Sequence, residues 1–332
     1  MIFVFLFNNL IKKGGEVRLE HRFKKNWCWH EFNFDNVEEI QQLIADTPVY
    51  NHWSKHITER KTNFLHVDKK DEIGSVLYGS LVYYQNPYNQ NDYKWFHFFV
   101  STSYFVTVGF DLSLLNRTNR ETMYKEMDQC HSAQEGFFVL VGELLNNFLD
   151  GIDKFEYKLT KMRRDVQENN RTYLLDKIYD LRHELLNWND LAIPVEELKL
   201  AAEEAFLDDI TQATEYRRTC VRIERTFRLI QHYRQDIDTL LNLEEVLSSH
   251  RGNEIMKTLT VFTVIFTPAM VLGAIWGMNF KYMPELHLKY GYLYSLLIIG
   301  FSTVAVYIWL RMKGWTGDLL KKRKNIDRGK IR

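Results

Sequence analysis

Net charge is absent from this chain, in which 43 Lys and Arg offset 43 Asp and Glu over 332 residues. Such a balance gives no attraction for a polyanion, so nucleic acid is not expected as a partner. Cysteine is scarce. Cys28, Cys130 and Cys220 lie far apart with no CxxC spacing. They read as reduced thiols of a cytosolic domain rather than as a disulfide framework or a zinc site. Neither a glycine-rich phosphate loop nor a nucleophile elbow occurs, and no nucleophile is paired with a base. An enzyme and an organic cofactor are therefore not expected. Met1 to Phe7 is apolar but lacks a preceding positive charge and a small-residue cleavage site, and an edge strand is expected there rather than a signal peptide.

Charge is also missing locally. No Asp, Glu, Lys or Arg occurs from Thr258 to Phe280 (23 residues) or from Tyr290 to Leu310 (21 residues). As helices these stretches reach about 34 and 31 Å, each enough to cross a hydrocarbon core of about 30 Å. Their flanks set the orientation. The tail holds Arg311, Lys313, Lys321, Lys322, Arg323, Lys324, Arg328, Lys330 and Arg332 against Asp318 and Asp327. The segment between the spans holds Lys281, Glu285 and Lys289. The basic tail is expected in the cytoplasm and the loop outside. Two spans then return the N-terminal domain to the cytoplasmic side, giving a multi-pass protein of the cell membrane with both termini inside.

The fold class expected is an α/β N-terminal cytosolic domain, a long-helix stalk and two C-terminal transmembrane helices. Residues 1–116 mix strand and helix signals. Asn63 to Val67 and Ile73 to Tyr84 are β-branched and aromatic runs around a charged turn at residues 68–72. Trp95 to Val100 and Tyr104 to Val108 form a second pair around Ser101-Thr102-Ser103, and Val37 to Ala45 looks helical. Residues 117–207 read as a helical hairpin. Phe148, Ile152, Phe155, Leu159, Met162 and Val166 lie on one stripe, broken at Asn169-Asn170. The stripe resumes at Leu174, Ile178, Leu181, Leu185 and Trp188 and is expected to stop near Pro194. Tyr216, Cys220, Ile223, Phe227, Ile230, Ile237 and Leu241 continue it, without Pro or Gly before Gly252. This suggests one helix from about Asp208 to Asn279, with residues 208–257 as a stalk and a bundle or coiled-coil seam. An ordinary amphipathic helix packed within one subunit is the alternative. The first span is then 258–280, the loop 281–289, the second span 290–310 and the tail 311–332.

One face of the first span differs from the other. Asn253, Met256, Thr260, Thr263, Thr267, Met270, Ala274 and Met278 are polar, small or thioether-bearing, whereas Val261, Phe262, Ile265, Phe266, Leu272 and Ile275 are bulky. A small, polar face serves either close helix packing or a water path. Pro268 removes one backbone hydrogen bond within this span. At its outer end stands the amide of Asn279.

Gly277-Met278-Asn279, followed by Tyr282-Met283-Pro284-Glu285-Leu286, resembles the CorA family of magnesium transporters. The similarity extends through Asn253-Glu254-Ile255-Met256-Lys257 and Pro268, and over the whole architecture. The resemblance implies a homopentameric channel with a funnel-shaped cytosolic domain, passing Mg²⁺ and also Co²⁺ or Ni²⁺. By that resemblance Gly277, Met278 and Asn279 form the selectivity filter. Asn253, Met256 and Leu259 form the inner pore and gate, with Thr260, Thr263, Thr267 and Met270 lining the path and Glu285 in the outer loop. A ring of Asn279 amides would accept hydrogen bonds from the water shell of an intact hydrated ion, because Mg²⁺ dehydrates reluctantly. The membrane potential favours inward movement of two charges by roughly 4.6 kcal/mol per 100 mV.

The family also uses cytosolic Mg²⁺ bound between subunits to close the channel. Here the upper stalk is basic (Arg217, Arg218, Arg222, Arg225, Arg228), and Arg218 falls about where a stalk carboxylate is sought. Candidate regulatory ligands are Asp68, Asp71 and Glu72, and the run Glu196, Glu197, Glu203, Glu204, Asp208 and Asp209, which could face Lys321-Lys322-Arg323-Lys324 instead. A solvated helix face is the plain alternative for each. Trp27-Cys28-Trp29-His30 and His52/His56 suggest a soft metal site. Cys28 and His30 are only two apart, however, and nothing in the sequence completes a fourfold set, so core or surface roles are expected. The rival functions are a zinc-transporting relative, with or without proton coupling, and a membrane-anchored coiled-coil scaffold.

Overall fold

The structure is a computed structural model that describes residues 9–10, 19–36, 40, 50–70, 74–86, 89–115, 119–168 and 173–315. The expectations for Met1 to Phe7, the Asn169-Asn170 break, the tail beyond residue 315 and most of Val37 to Ala45 lie outside the described residues. The chain divides into two compact units, Met1–Leu241 and Asn242–Arg332.

In the first unit a seven-stranded sheet has the order β1-β2-β3-β7-β6-β5-β4. Its strands are β1 Asn9–Leu10, β2 Leu19–Arg22, β3 Cys28–Phe32, β4 Phe64–Lys70, β5 Gly74–Asn86, β6 Asn89–Val100 and β7 Tyr104–Val108. All neighbours pair antiparallel except β3 and β7, which are parallel. Both faces are covered, and the alternation of side chains shows how. Trp29, Phe96, Phe98 and Phe105 join the large core that includes Phe137, Phe138 and Leu144 of the helical layer. Their neighbours Phe99, Val106 and Val108 turn the other way, towards Ile40, Trp53 and Ile57. Trp29 Nε1 donates to Thr107 Oγ1 at 2.9 Å, which satisfies the one polar atom that this buried indole carries.

The charged turn expected at residues 68–72 is in part strand. Asp68, Lys69 and Lys70 belong to β4, opposite Val76, Ser75 and Gly74. β4 is the last strand of the sheet, and an edge strand tolerates charges that a central one would not.

The helices of this unit are α1 Tyr50–Glu59, α2 Arg120–Met127, α3 Ala133–Glu168, α4 Tyr173–Phe206, α5 Asp208–Thr211 and the first part of α6 Thr214–Trp276. The stripes of α3 and α4 are buried where the spacing places them. Ile152, Phe155, Leu159, Met162, Leu174, Ile178, Leu181 and Leu185 form one core with Ile230, Tyr233, Ile237 and Leu240 of α6. Over this stretch the apolar face of α6 is spent inside the chain, and the coiled-coil seam is corrected to intrachain packing.

Two boundaries also move. α4 does not stop at Pro194 but runs through it to Phe206. Leu191, Val195, Leu198 and Ala202 continue the buried face beyond the proline. Their burial outweighs the helix-interior penalty of about 3 kcal/mol. The acceptor left without a donor is the carbonyl of Asp190, an exposed residue that water can reach. The single helix expected from Asp208 is interrupted at Gln212-Ala213, so that the one-turn α5 precedes α6.

The second unit holds the remainder of α6, a single 3₁₀ turn Pro284–His287 and α7 Gly291–Met312. α6 and α7 are both long and apolar enough to cross a membrane. α6 ends at Trp276 rather than at Asn279.

Candidate functional site

The polar face of α6 is built from threonine. In a hydrocarbon environment a free hydroxyl is costly, and each of these finds an acceptor one turn back along its own helix. Thr260 Oγ1 donates to the Met256 carbonyl at 2.8 Å, Thr263 Oγ1 to the Leu259 carbonyl at 2.9 Å and Thr267 Oγ1 to the Thr263 carbonyl at 2.8 Å. Each hydroxyl oxygen keeps acceptor capacity after its proton is committed, so the stripe presents acceptors outward. Because α6 is continuous from Asn253 to Trp276, the 3–4 spacing places Asn253, Met256, Thr260, Thr263, Thr267 and Met270 on one face. Leu259 lies beside that stripe, one position from Thr260. Met256, Leu259 and Met270 are exposed on the single chain, at 61%, 60% and 59%. Val261, on the opposite face, is buried.

At its end the helix tightens and releases the chain. Gly277 N donates to the Gly273 carbonyl at 3.0 Å and Met278 N to the Ile275 carbonyl at 3.3 Å. A Cβ on Gly277 would sit 3.1 Å from the Gly273 oxygen, closer than ordinary contact, so glycine suits this close approach. Asn279 is the next residue but one and stands outside the helix, exposed. No basic residue occupies the last turn of α6. The negative end of the helix dipole, with its terminal carbonyls, is therefore left uncompensated beside Asn279, a setting that favours a cation. Glu285 belongs to the single turn Pro284–His287. Lower in this unit Arg251 Nη2 meets Glu244 Oε1 at 2.6 Å, with the carboxylate side chain only 5% exposed. The sequence reading missed this pair, whose i,i+7 spacing is a helical signal.

Among the described residues, no three of the candidate regulatory carboxylates come together as a metal-sized group. Asp68 lies on β4, whereas Asp71 and Glu72 fall outside the described residues. Glu204 Oε1 is 3.3 Å from Lys69 Nζ, in a pair exposed on both sides. Glu203 Oε1 accepts a hydrogen bond from Tyr216 Oη at 2.7 Å. Burial and this bond hold the Tyr216 phenol well above its ordinary pKa. Asp208 begins α5, and its carbonyl accepts from Gln212 N at 3.2 Å. Arg218, found where a carboxylate was sought, pairs with Glu215 at 2.7 Å. Burial raises the pKa of Glu215 and Arg218 opposes the shift. Tyr216 was missed as the partner of Glu203, since a contact between separate helices carries no fixed spacing, and Glu215 was missed as the partner of Arg218 although their i,i+3 spacing on α6 is a helical signal.

Comparison with known proteins places these features in a lineage. A family described as "CorA-like Mg2+ transporter protein" matches residues 24–313. The magnesium transport protein CorA of Bacillus subtilis is 40% identical over 304 residues, 90% of this chain and 95% of the relative. The cobalt/magnesium transport protein CorA of Thermotoga maritima is 24% identical over 180 residues, 54% of this chain and 51% of that protein. Among solved structures, the CorA magnesium transporter of Methanocaldococcus jannaschii superposes with a TM-score of 0.66 at 15% identity, covering 87% of this chain and 92% of that one. The full-length CmaX protein does so at 0.59 and 17% identity, covering 93% and 92%. These two likenesses concern the fold. The family match over most of the chain and the long Bacillus alignment go further: this chain belongs to the CorA-like Mg²⁺ transporter family.

Proposed function

We propose that the chain assembles as a homopentamer in the cell membrane and passes Mg²⁺ inward down the membrane potential, with Co²⁺ and Ni²⁺ as further cargo. The observation that carries this reading is the threonine- and methionine-bearing face of α6, which ends at an uncompensated helix C-terminus with Asn279 immediately beyond it. Repeated around a ring, that face lines a path whose side chains accept hydrogen bonds but carry no charge. A Mg²⁺ ion needs a compact oxygen shell, which one chain cannot supply, so it travels with its own water. Asn279 amides then select by accepting hydrogen bonds from that shell, supported by Gly277 and Met278. Asn253, Met256 and Leu259 form the inner constriction, where an apolar ring closes the path by excluding water. Glu285 draws cations to the mouth.

In this reading residues 1–116 and 117–207 are cytosolic, 208–257 form the stalk, 258–280 and 290–310 span the membrane, and 281–289 face outward. Both termini lie inside. Cytosolic Mg²⁺ also closes the channel, and binding at Glu203 or Glu204 requires Tyr216 or Lys69 to yield its carboxylate. Limited proteolysis tests that closure, since resistance should rise in millimolar Mg²⁺ and an unchanged digest removes it.

Reconstitution tests the transport reading. Mg²⁺ entry into proteoliposomes should rise as an inside-negative potassium diffusion potential is increased, with no added nucleotide. Zn²⁺ entry driven by a pH gradient without Mg²⁺ entry would favour the zinc-carrier rival. Absence of any flux would favour an anchoring scaffold.

A further inference from the structure

Cys28 and His30 sit two apart on β3, and the sheet brings them a third ligand that lies eight residues away in sequence. β2 and β3 pair antiparallel with Glu20 opposite His30 and Arg22 opposite Cys28. Directly opposed residues and those two apart share one face, so the carboxylate, imidazole and thiol project together. The face is the one opposite Trp29, away from the main core. One ligand atom from each of Glu20, Cys28 and His30 lies within 4.8 Å of the other two. No second trio of His, Cys, Asp or Glu comes this close among the described residues. The surroundings are sheltered, since the Glu20 side chain is 9% exposed and His30 6%, and Cys28 is partly buried.

We propose that Glu20, Cys28 and His30 form a binding site for a borderline transition-metal dication of the Zn²⁺ or Co²⁺ class. One sulfur, one nitrogen and one oxygen ligand match the tetrahedral chemistry of Zn²⁺ with a water in the fourth position. A thiolate and an imidazole do not suit Mg²⁺, which demands oxygen. The site is therefore chemically separate from the proposed Mg²⁺ path, and it does not rest on that function. Arg22 Nε lies 2.6 Å from Glu20 Oε1 and orients the carboxylate, as partners of metal ligands do. A carboxylate has two oxygens, so one can meet the metal while the other keeps the guanidinium. Cys28 binds as the thiolate, and its proton passes to solvent.

Co²⁺ titration of the full-length protein in detergent tests the site. It should produce a near-ultraviolet sulfur-to-cobalt charge-transfer band that Zn²⁺ abolishes and millimolar Mg²⁺ leaves unchanged. Cys28→Ser should remove the band, and Glu20→Gln should weaken Co²⁺ binding by about tenfold or more. In the unmodified protein Zn²⁺ should slow alkylation of Cys28 while leaving Cys220, also partly buried, at its original rate. That arm requires no variant to fold. A band that survives in Cys28→Ser, or Cys28 alkylation indifferent to Zn²⁺, overturns the proposal. Binding at histidines elsewhere gives no sulfur band and counts against it.

Discussion

Gly151→Ala tests how the helical layer is held together. Gly151 lies on α3 against Trp188 of α4, and a Cβ added there would fall 2.1 Å from both Cη2 and Cζ2 of the indole. Carbon atoms rest at about 3.5–4.0 Å, so the ring must retreat by about 1.4 Å or more, or the helices must part. Trp188 packs against both hydrophobic clusters and lies 6.1 Å from Phe148, so its displacement is felt at the joint between them. Overpacking of this kind costs about 1–3 kcal/mol, whereas replacing a helical glycine by alanine returns about 1 kcal/mol. The net loss is up to about 2 kcal/mol, a fall in melting temperature of up to about 8 °C for a unit of this size. The assay is thermal melting followed by far-ultraviolet circular dichroism on the full-length protein in detergent. Trp188→Phe deletes the clashing atoms, so Gly151→Ala should cost less in that background than alone. A Gly151→Ala protein that melts at or above the parent temperature, or a penalty unchanged by Trp188→Phe, refutes the packing argument.

Two further outcomes concern charge. His97 is fully buried on β6, and burial depresses its pKa from 6.5 to about 4. Its unfolded form binds a proton first, so this histidine removes up to about 3 kcal/mol of stability as pH falls from about 6.5 to 4, and none above that window. His97→Leu should flatten the acid limb of the stability profile, and an unchanged slope contradicts the assignment. Lys158 Nζ meets both oxygens of Glu184 at 2.8 Å, with the carboxylate side chain 10% exposed and the lysine 43%. Lys158→Met strands the buried partner and should cost about 1.5–3 kcal/mol, more than Glu184→Gln, whose lysine can reach water. Chemical denaturation of both variants should show that order.

The helical half of the fold was legible because periodicity records burial. Phe155, Leu159, Ile178 and Ile237 are buried where their spacing put them. What spacing cannot record is the partner. The same stripe on α6 fits a coiled-coil seam or an intrachain bundle, and only the positions of α3 and α4 decide. Pro194 misled because a local penalty was weighed without the burial of Val195, Leu198 and Ala202 that offsets it. In the sheet, individual strands were readable from aromatic runs, but the β2–β3 register was not. That register joins Glu20 to Cys28 and His30 and pairs Trp29 with His21. At the membrane end the threonine stripe was legible directly, since it depends on one continuous helix, whereas Gly277, Met278 and Asn279 lie just past the end of that helix at Trp276 and were singled out by the motif alone. The ties of Glu203 to Tyr216 and of Glu204 to Lys69 were not legible, because each joins two separate elements whose packing no spacing records.

The central claim is that Asn279 selects the ion through the water around it. Mg²⁺ and Na⁺ entry into proteoliposomes should be measured for the parent protein and for Asn279→Ala at the same potential. Each lost amide removes a hydrogen bond of about 0.5–1.5 kcal/mol, and loss around a ring should lower the preference for Mg²⁺ by at least about tenfold. An Asn279→Ala protein with the parent's Mg²⁺ entry and Mg²⁺ to Na⁺ ratio would contradict the account.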